Sequence, residues 1–511
     1  MKNQYKTGIA FIFILTTIFQ LNAQNDAHYW THQYGAKGLL LNGAVIASTD
    51  DETAVYYNPG AMGNGEDFGV SLTFFTPSYS ILKTQNYLGS GNSLRNTNFG
   101  FTPGFAAVGV RPFKNKKIKA AFTSFTRFKS GLGARSREVG TVKNQEGLLF
   151  VGNLDFSRKV SQRWFGYGMA YRLNDKLSLG ATQFAAMHSE NALLSVQKEI
   201  VSKDNPYDVL LAWRSKVRYK FSFKGGLLTK FGLSATLGNI KIGLTATTPI
   251  YKYFLDGASY DLDDLKVYPQ DSVVLISNLK SADLMEYHTP WSFGLGLDFT
   301  IKRTRVSFST EYFTAVKPYT IIDDKDDPFN GEANEIFLNR FLVNAGEKAV
   351  LNMAVGLQTR YNDKVTMIWG ARTDFNQRRL DPNFQTLSFL STSPDIFHLS
   401  CGGFFKAWNN QFSLGLDYAF GFKKTNTRVV DLNNITQENL FEFSGSGPVT
   451  TRYQAFTLVF TYDFIVKSWK DRRRRLKDER QKELEEKEEQ LKRREEKIEK
   501  QLKKMNEEKN G

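Results

Sequence analysis

The sequence has few of the residues that most enzymes use for catalysis. It contains one cysteine and five histidines in 511 residues, so no disulfide can form within the chain. No Gly-x-Ser-x-Gly nucleophile motif is present. His28 and His32 are spaced as helical metal ligands can be, but no glutamate follows His28 as in the zinc-protease motif. We therefore predict no catalytic residue, no cofactor and no metal site, and a protein that is not an enzyme.

Long apolar runs are also missing after residue 23, so we predict no transmembrane helix. At the start, Lys2 and Lys6 precede an apolar run over residues 8–19, and Leu21-Asn22-Ala23 follows. This order is typical of a secretory signal peptide cleaved after Ala23. The alternative, an N-terminal membrane anchor, would need about 20 apolar residues. A secreted chain without a nucleic-acid-binding module is not expected to bind nucleic acid, despite its net charge of +15.

The sequence does contain a strand pattern that is repeated many times. In its clearest copy, residues 291–299, aromatic residues and leucines alternate with serine, glycine and aspartate. Successive strand side chains point to opposite faces, so one face is apolar and the other small or polar. The mean hydropathy of −0.38 resembles that of a soluble protein, but a membrane barrel has similar values because only alternate residues face lipid.

The connections between these strands alternate between short and long. Short turns such as Gly238-Asn239 and Asn362-Asp363 use residues that tolerate positive φ. The predicted long loops are 77–102, 129–163, 189–213, 252–289, 314–349, 376–395 and 423–451. Outer-membrane barrels alternate in this way, with short periplasmic turns and long extracellular loops, whereas a soluble sandwich has no reason to do so.

The predicted fold is all-β: a transmembrane antiparallel β-barrel of about 14 strands with an N-terminal hatch plug and a charged α-helical tail. The predicted domains are a signal peptide (1–23), the hatch (24–67), the barrel (68–464) and a periplasmic tail (465–511). The predicted strands are Phe68–Thr76, Phe105–Val110, Ile118–Phe128, Phe165–Leu173, Leu177–His188, Lys216–Leu237, Ile240–Tyr251, Trp291–Thr300, Arg305–Phe313, Asn352–Tyr361, Lys364–Phe375, Phe397–Ala407, Gln411–Phe422 and Arg452–Phe464.

The tail, residues 465–511, is dense in glutamate, lysine and arginine. Glu–Lys pairs four residues apart favour a helix, and apolar residues recur every seven positions. A coiled coil needs two apolar positions in each heptad, and here only one is supplied. The tail is therefore a solvated single helix, a weak coiled coil or a helix that docks a partner, and Arg472–Arg475 could instead bind inner-leaflet phosphates.

The segment from His28 to Gly60 does not follow the strand pattern. It contains Asp50 and Asp51, followed by Asn58-Pro59-Gly60. Together with the barrel pattern, this segment resembles the FadL/TodX-type outer-membrane transporters of hydrophobic compounds. In that family a hatch carries an Asp-rich stretch and then Asn-Pro-Ala, so Gly60 departs from the commonest form. The resemblance covers about residues 24–464 and does not include the charged tail.

The resemblance implies a mechanism in which the hatch shifts and the ligand leaves sideways through a gap at a kink in the third strand. In this sequence Phe122, Phe125 and Phe128 are spaced by three, which breaks the alternation of that strand. A β-bulge would repair the register by bending the strand. We predict this kink at Thr123, Ser124 and Phe125. The alternative is that one of the aromatic side chains simply points inward.

Three arginines on lumen-facing positions, Arg372, Arg360 and Arg305, are candidates to bind a ligand carboxylate, because such a headgroup in a dry pocket needs a cation or several donors. Arg372 is the best placed, toward the outer half of its strand. The alternative is that these arginines form ion pairs that brace the lumen, for example Arg372 with Asp374.

The predicted function is transport of long-chain fatty acids or other hydrophobic small molecules across the outer membrane, with lateral exit from the barrel. The expected partners are this ligand and the outer-membrane lipids. The alternative function is an outer-membrane scaffold in protein secretion or surface attachment, in which residues 465–511 dock a periplasmic protein or the cell wall.

Overall fold

The structure is a computed structural model. It describes residues 28–463, except residues 50, 65–69, 74–75, 88, 90, 92, 103, 111–116, 269–271, 283–285, 322–343, 380–393, 408–409, 429–431, 434 and 442–444. The predicted signal peptide, Asp50 and the charged tail lie outside the described residues.

Strands dominate the described part of the chain. Its helices are short: α1 (Gly35–Leu40), α2 (Ala54–Tyr57) and two 3₁₀ turns, η1 (Pro59–Gly63) and η2 (Asn439–Phe441). No helix within the described ranges is long and apolar enough to cross a membrane. The strands are β1 (Val70–Thr73), β2 (Thr76–Gln85), β3 (Ser93–Thr102), β4 (Phe105–Val110), β5 (Ile118–Val142), β6 (Gln145–Arg172), β7 (Leu177–Ser202), β8 (Val209–Leu237), β9 (Ile240–Thr247), β10 (Tyr251–Val267), β11 (Val273–Ala282), β12 (Ser292–Ile301), β13 (Thr304–Phe313), β14 (Val316–Thr320), β15 (Asn344–Glu347), β16 (Val350–Arg360), β17 (Val365–Asp374), β18 (Asp395–Ala407), β19 (Asn410–Arg428) and β20 (Gly445–Asp463).

Eighteen of these strands form one antiparallel sheet, and β14 and β15 form a separate ribbon. The sheet begins with β1 beside β4 and runs through β5, β6, β7, β8, β9, β12, β13, β16, β17, β18 and β19 to β20. Strand β20 pairs with β2, and β2 pairs with β3. β10 and β11 extend from the outer half of β8. The series is open at the ends β1 and β3, since no ladder joins β3 to β5 among the described residues.

The two faces of the sheet differ as the alternation predicts. In the stretch that showed the pattern most clearly, Trp291, Phe293 and Phe299 are exposed, whereas Ser292 and Asp298 are buried. The same division recurs in β16 and β20. The outward face is therefore an apolar band, and the inward face is built of small and polar residues.

The loops predicted over 129–163 and 189–213 are wrong, because β5 to β8 continue through them as strands of 25–29 residues. The predicted loop 252–289 likewise contains β10 and β11. The pattern in these outer parts is inverted. In β8, Trp213 is buried and Arg218 is exposed, so the apolar face points inward and was not recognised by a lipid-facing template.

The inversion marks the outer limit of the apolar band. On β7 the outward residues are mainly apolar or small from Leu177 to Met187, and Ser189 and Asn191 follow on the same face. Residues 177–187 have the length of roughly 9–11 residues that a barrel strand needs to cross the hydrocarbon layer. Beyond this limit the wall has a polar outer face, and large apolar side chains such as Trp213 and Phe221 point inward.

Candidate functional site

The N-terminal segment, residues 28–64 without residue 50, lies against the inward face of the sheet. Most of its side chains are buried, among them Leu40, Leu41 and Met62. It is held by side-chain hydrogen bonds to the inward faces of several strands, because the wall offers serines and threonines there. These bonds are Ser178 Oγ to Gly60 O (2.5 Å), Thr182 Oγ1 to Val55 O (2.8 Å), Ile46 N to Ser309 Oγ (3.1 Å) and Asn42 Nδ2 to Ser400 Oγ (2.8 Å).

Asn58 joins the N-terminal segment to the wall. Its Oδ1 accepts from the Gly60 N–H at 3.0 Å, which caps the 3₁₀ turn that Pro59 begins. Its Nδ2 donates to Ile46 O at 2.9 Å and to Leu233 O of β8 at 3.0 Å. Because Asn58 is fully buried, these three bonds satisfy groups that would otherwise be costly to bury.

Gly60 lies where the segment touches the wall most closely. A Cβ at Gly60 would lie 2.7 Å from the carbonyl oxygen of Gly232, and a Cβ at Gly232 would lie 2.3 Å from Asn58 Oδ1. Two backbones can approach this closely only where both residues lack a side chain. The departure from Asn-Pro-Ala is therefore explained by contact with this particular wall.

The remaining predicted hatch residue, Asp51, has a local role. Its Oδ1 accepts from Thr53 N at 2.9 Å and from Thr53 Oγ1, so it caps the turn before α2. Among the described residues, no group of three or more His, Cys, Asp or Glu side chains could hold a metal ion. Burial lowers the pKa of His32 to about 3, so this side chain is neutral at physiological pH.

Arg372, the preferred ligand candidate, is buried against the N-terminal segment. Its guanidinium donates to Asn42 Oδ1 at 2.5 Å, to Thr31 O at 3.2 Å and to the ring of His398 at 2.9 Å. Asp374 does not close on it and instead accepts from the backbone N–H of Trp30 at 2.9 Å. Arg372 therefore braces the interior, as the alternative to ligand binding predicted, but its partners are residues of the N-terminal segment and His398 and not Asp374.

The other two arginines are not brought together with Arg372. Arg360 lies at the end of β16, and its Nη2 is 2.8 Å from Asp363 Oδ1 in the following turn, where both side chains are exposed. Arg305 lies at the start of β13, beside the turn from β12, and is half-buried. These two side chains are therefore remote from the outer half of the interior.

The irregularity of the third strand lies beyond the predicted Thr123–Phe125. Those residues pair regularly with both β4 and β6, and the register shifts between Thr126 and Phe128. Phe122 is exposed and Phe125 is buried. Residues three apart point to opposite faces of a regular strand, so this first spacing needs no irregularity. The spacing from Phe125 to Phe128 does need the bulge. Phe128 pairs with Gln162, whose side chain is buried on the inward face. Because register partners share a face, Phe128 lies on the same face as Phe125.

The bulge is bonded to the N-terminal segment. Tyr34 Oη donates to Thr126 O at 2.7 Å, and Arg127 Nη2 donates to Tyr29 O. Tyr34 also packs on Phe125 with ring centroids 4.8 Å apart. A movement of the segment would therefore break contacts at the place where β5 changes register.

Sequence reasoning missed several residues that hold the segment. Trp30 Nε1 donates to Glu311 at 2.7 Å, and Tyr29 Oη donates to Glu347. The alternation of side chains places Glu311 on the inward face but does not indicate its partner, and Glu347 lies in the predicted loop 314–349. The aromatic residues Tyr29 and Trp30, shortly after the predicted signal peptide, were the available signal, since tyrosine and tryptophan usually find hydrogen-bond partners when buried.

We predict that Gly60→Ala destabilises the protein by about 1–3 kcal/mol, because the added methyl group overpacks the contact with Gly232. Urea unfolding of the detergent-solubilised protein measures the change. Gly140→Ala is the matched control, since a Cβ there meets nothing within 4 Å, and it should stay within about 0.5 kcal/mol. Equal effects of the two substitutions would contradict the close contact.

We also predict that increasing pH weakens the protection of residues 28–34. Burial raises the pKa of Glu347 to about 7, above the usual range of a carboxyl, so the stability that this group contributes is present at low pH and is lost as pH rises through 7. Hydrogen exchange, corrected for its intrinsic rate, should speed up between about pH 4.5 and 7 and level off above pH 7, by at most about tenfold per unit for one linked proton.

Glu347→Gln should remove this pH dependence. Glu286→Gln is the control, because that carboxylate is exposed beside His288, and it should keep the wild-type profile. An unchanged profile in Glu347→Gln would rule out Glu347 as the titrating group.

No protein-family model matches the chain, and no curated protein matches it. Solved structures do. A FadL homologue of Pseudomonas aeruginosa aligns over 86% of this chain and 100% of its own, with a TM-score of 0.54 and 14% identity. A TodX deltaS2S3 mutant monoaromatic hydrocarbon channel covers 85% and 100%, with a TM-score of 0.53 and 13% identity.

The Pseudomonas putida toluene transporter TodX aligns over 85% of this chain and 99% of its own, with a TM-score of 0.50 and 12% identity. At these identities the likeness concerns the fold. The predicted resemblance is confirmed at that level: the chain has the antiparallel all-β fold of the FadL homologue and TodX.

Proposed function

We propose that this protein lies in the outer membrane and carries hydrophobic small molecules, fatty-acid-like or aromatic, through its barrel without catalysing a reaction. The observation that carries the proposal is the buried N-terminal segment. It is hydrogen-bonded to Thr126 and Arg127, where β5 changes register, and the wall around it has an apolar outward face. The structural neighbours named as a toluene transporter and a hydrocarbon channel support the ligand class.

The N-terminal segment would act as the hatch. Most of its polar contacts with the wall use single side chains such as Ser178, Ser309 and Ser400. Side-chain hydrogen bonds can be exchanged one at a time, unlike a strand ladder, and each contributes a net of only about 0.5–1.5 kcal/mol. A ligand that arrives from outside would displace part of the segment and with it the contacts of Tyr34 and Arg127 at the bulge.

The exit would lie between β3 and β5. The ladder between β4 and β5 ends at Phe105 and Phe125, and beyond it, within the described ranges, β5 pairs with β6 alone. A hydrogen bond from Asn96 Nδ2 to Gly133 O, 2.8 Å long, connects β3 to β5 at this level. A wall held by isolated contacts can open toward lipid at a far smaller cost than one held by a continuous ladder.

Bridging this gap should stop transport. The experiment places cysteines at Thr97 and Gly133 in a Cys401→Ala background, since Cys401 is the chain's one cysteine, and joins them with a reducible bis-thiol reagent. Uptake of labelled oleate and toluene is measured in cells that lack other channels for these compounds. We expect uptake to fall to background when the bridge is present and to return after reduction.

The matched control bridges cysteines at Lys424 and Thr450, which are register partners in the continuous ladder of β19 and β20. It should leave uptake unchanged. Normal uptake with the Thr97–Gly133 bridge in place would exclude lateral exit here, and failure of the unmodified protein to raise uptake of either compound would exclude the transport function.

Arg372→Gln separates the two roles proposed for this residue. Because Arg372 is bonded to Asn42 and Thr31, we expect its loss to loosen the hatch and to change oleate and toluene uptake by the same factor. A headgroup site would give a different result, a higher KM for oleate with toluene unaffected, because toluene has no carboxylate. Concentration series of both compounds measure the difference.

A further inference from the structure

Three cations lie side by side in one row of the sheet. Lys83 of β2 is the register partner of Arg95 of β3 on one side and of Arg452 of β20 on the other. All three side chains are exposed on the outward face. We call this group the basic row.

Like charges directly opposite each other on neighbouring strands are destabilising. Among the described residues, none of the three cations of the basic row forms an ion pair. The nearest favourable contact is a cation–π interaction of Arg452 with Phe422, whose ring centroid lies 5.9 Å from the guanidinium carbon. Lys424, 5.8 Å from the same ring, adds a fourth positive charge. The row therefore has an excess of positive charge that an anion would relieve.

Two outward-facing cations elsewhere on the wall, Arg135 and Lys216, have carboxylate partners within the protein. Arg135 of β5 lies 2.9 Å from its register partner Asp155. Lys216 of β8 lies 3.5 Å from Asp263 and 3.8 Å from Asp261 on β10. What distinguishes the basic row is that three cations adjoin in register with no carboxylate partner among the described residues.

The position of the basic row indicates the kind of anion. Four residues further along the same face, Tyr79, Phe99 and Phe456 form an exposed aromatic row. At about 3.3 Å per residue the two rows are about 13 Å apart. Aromatic girdles of barrels lie at the interface between hydrocarbon and headgroups, so the cations are at the height of headgroups, and an anion that reaches them from the side belongs to a lipid.

We propose that the basic row, Lys83, Arg95 and Arg452, binds the phosphate of a lipid in the outer leaflet, with the acyl chains of that lipid packed on the aromatic row below. Arginine forks suit phosphate oxygens, and lysine adds a point charge. The bound lipid would brace β20, β2 and β3, the strands on one side of the gap beside β5. This inference rests on the membrane placement in the proposed function but not on transport itself.

The test is lipid retention by the purified full chain in detergent, read by native mass spectrometry. The probe is a bis-phosphorylated glycolipid, lipid A, and its dephosphorylated form is the comparison. The variant is Lys83→Gln with Arg95→Gln and Arg452→Gln. Three cations near a membrane surface contribute about 1 kcal/mol each, so retention of lipid A should weaken about a hundredfold, while retention of the dephosphorylated lipid should not change.

The matched control, Arg135→Gln with Lys216→Gln, removes two outward cations that have carboxylate partners and should retain lipid A like the unmodified chain. If the triple variant does not fold, Arg95→Gln alone should weaken retention about fivefold. Equal retention by variant and unmodified chain would overturn the proposal, as would equally strong competition by inorganic phosphate, which would indicate a site for free phosphate. Retention does not depend on uptake, so either result can fail without the other.

Discussion

The structure depends on the close approach of the N-terminal segment to the inward face of the sheet. A barrel wall in lipid must satisfy its own backbone hydrogen bonds, and here a second piece of chain packs against small residues on the inward face of that wall. Gly60 and Gly232 meet with no room for a methyl group, and Asn58 bonds both pieces. The small residues on the alternating strands exist because of this contact.

The same contact explains the fate of the buried charges. Arg372, Asp374 and Glu311 all bind the N-terminal segment, so these charges hold that segment in place and are not free for a ligand. Burying a charge is tolerable only when it is paired and hydrogen-bonded. Inward-facing charged residues in this sequence therefore indicate contacts with the N-terminal segment before they indicate a ligand site.

The outer surface has a corresponding division by height. An apolar band covers the part of the wall that would face hydrocarbon, and cations and carboxylates follow where the strands continue outward. Where register partners have opposite charge, as in Arg135 and Asp155, the wall neutralises its own cation. Where three cations adjoin, as in Lys83, Arg95 and Arg452, it is complete only with an anion from the surrounding lipid.

Two features of the sequence determined much of this protein. Alternation of side chains predicted the all-β class and the faces of strands such as residues 291–299. Together with that pattern, Asn58-Pro59-Gly60 predicted the likeness of fold. The role of the tail, residues 465–511, as helix or docking segment stays a prediction. The outer halves of β5 to β8 were missed because their apolar face is turned inward, and periodicity does not say which face meets which solvent. Only the tertiary structure decided the position of the bulge after Thr126 and the partners of Arg372. Both depend on residues far apart in the chain, and their energies arise only when those residues are packed together.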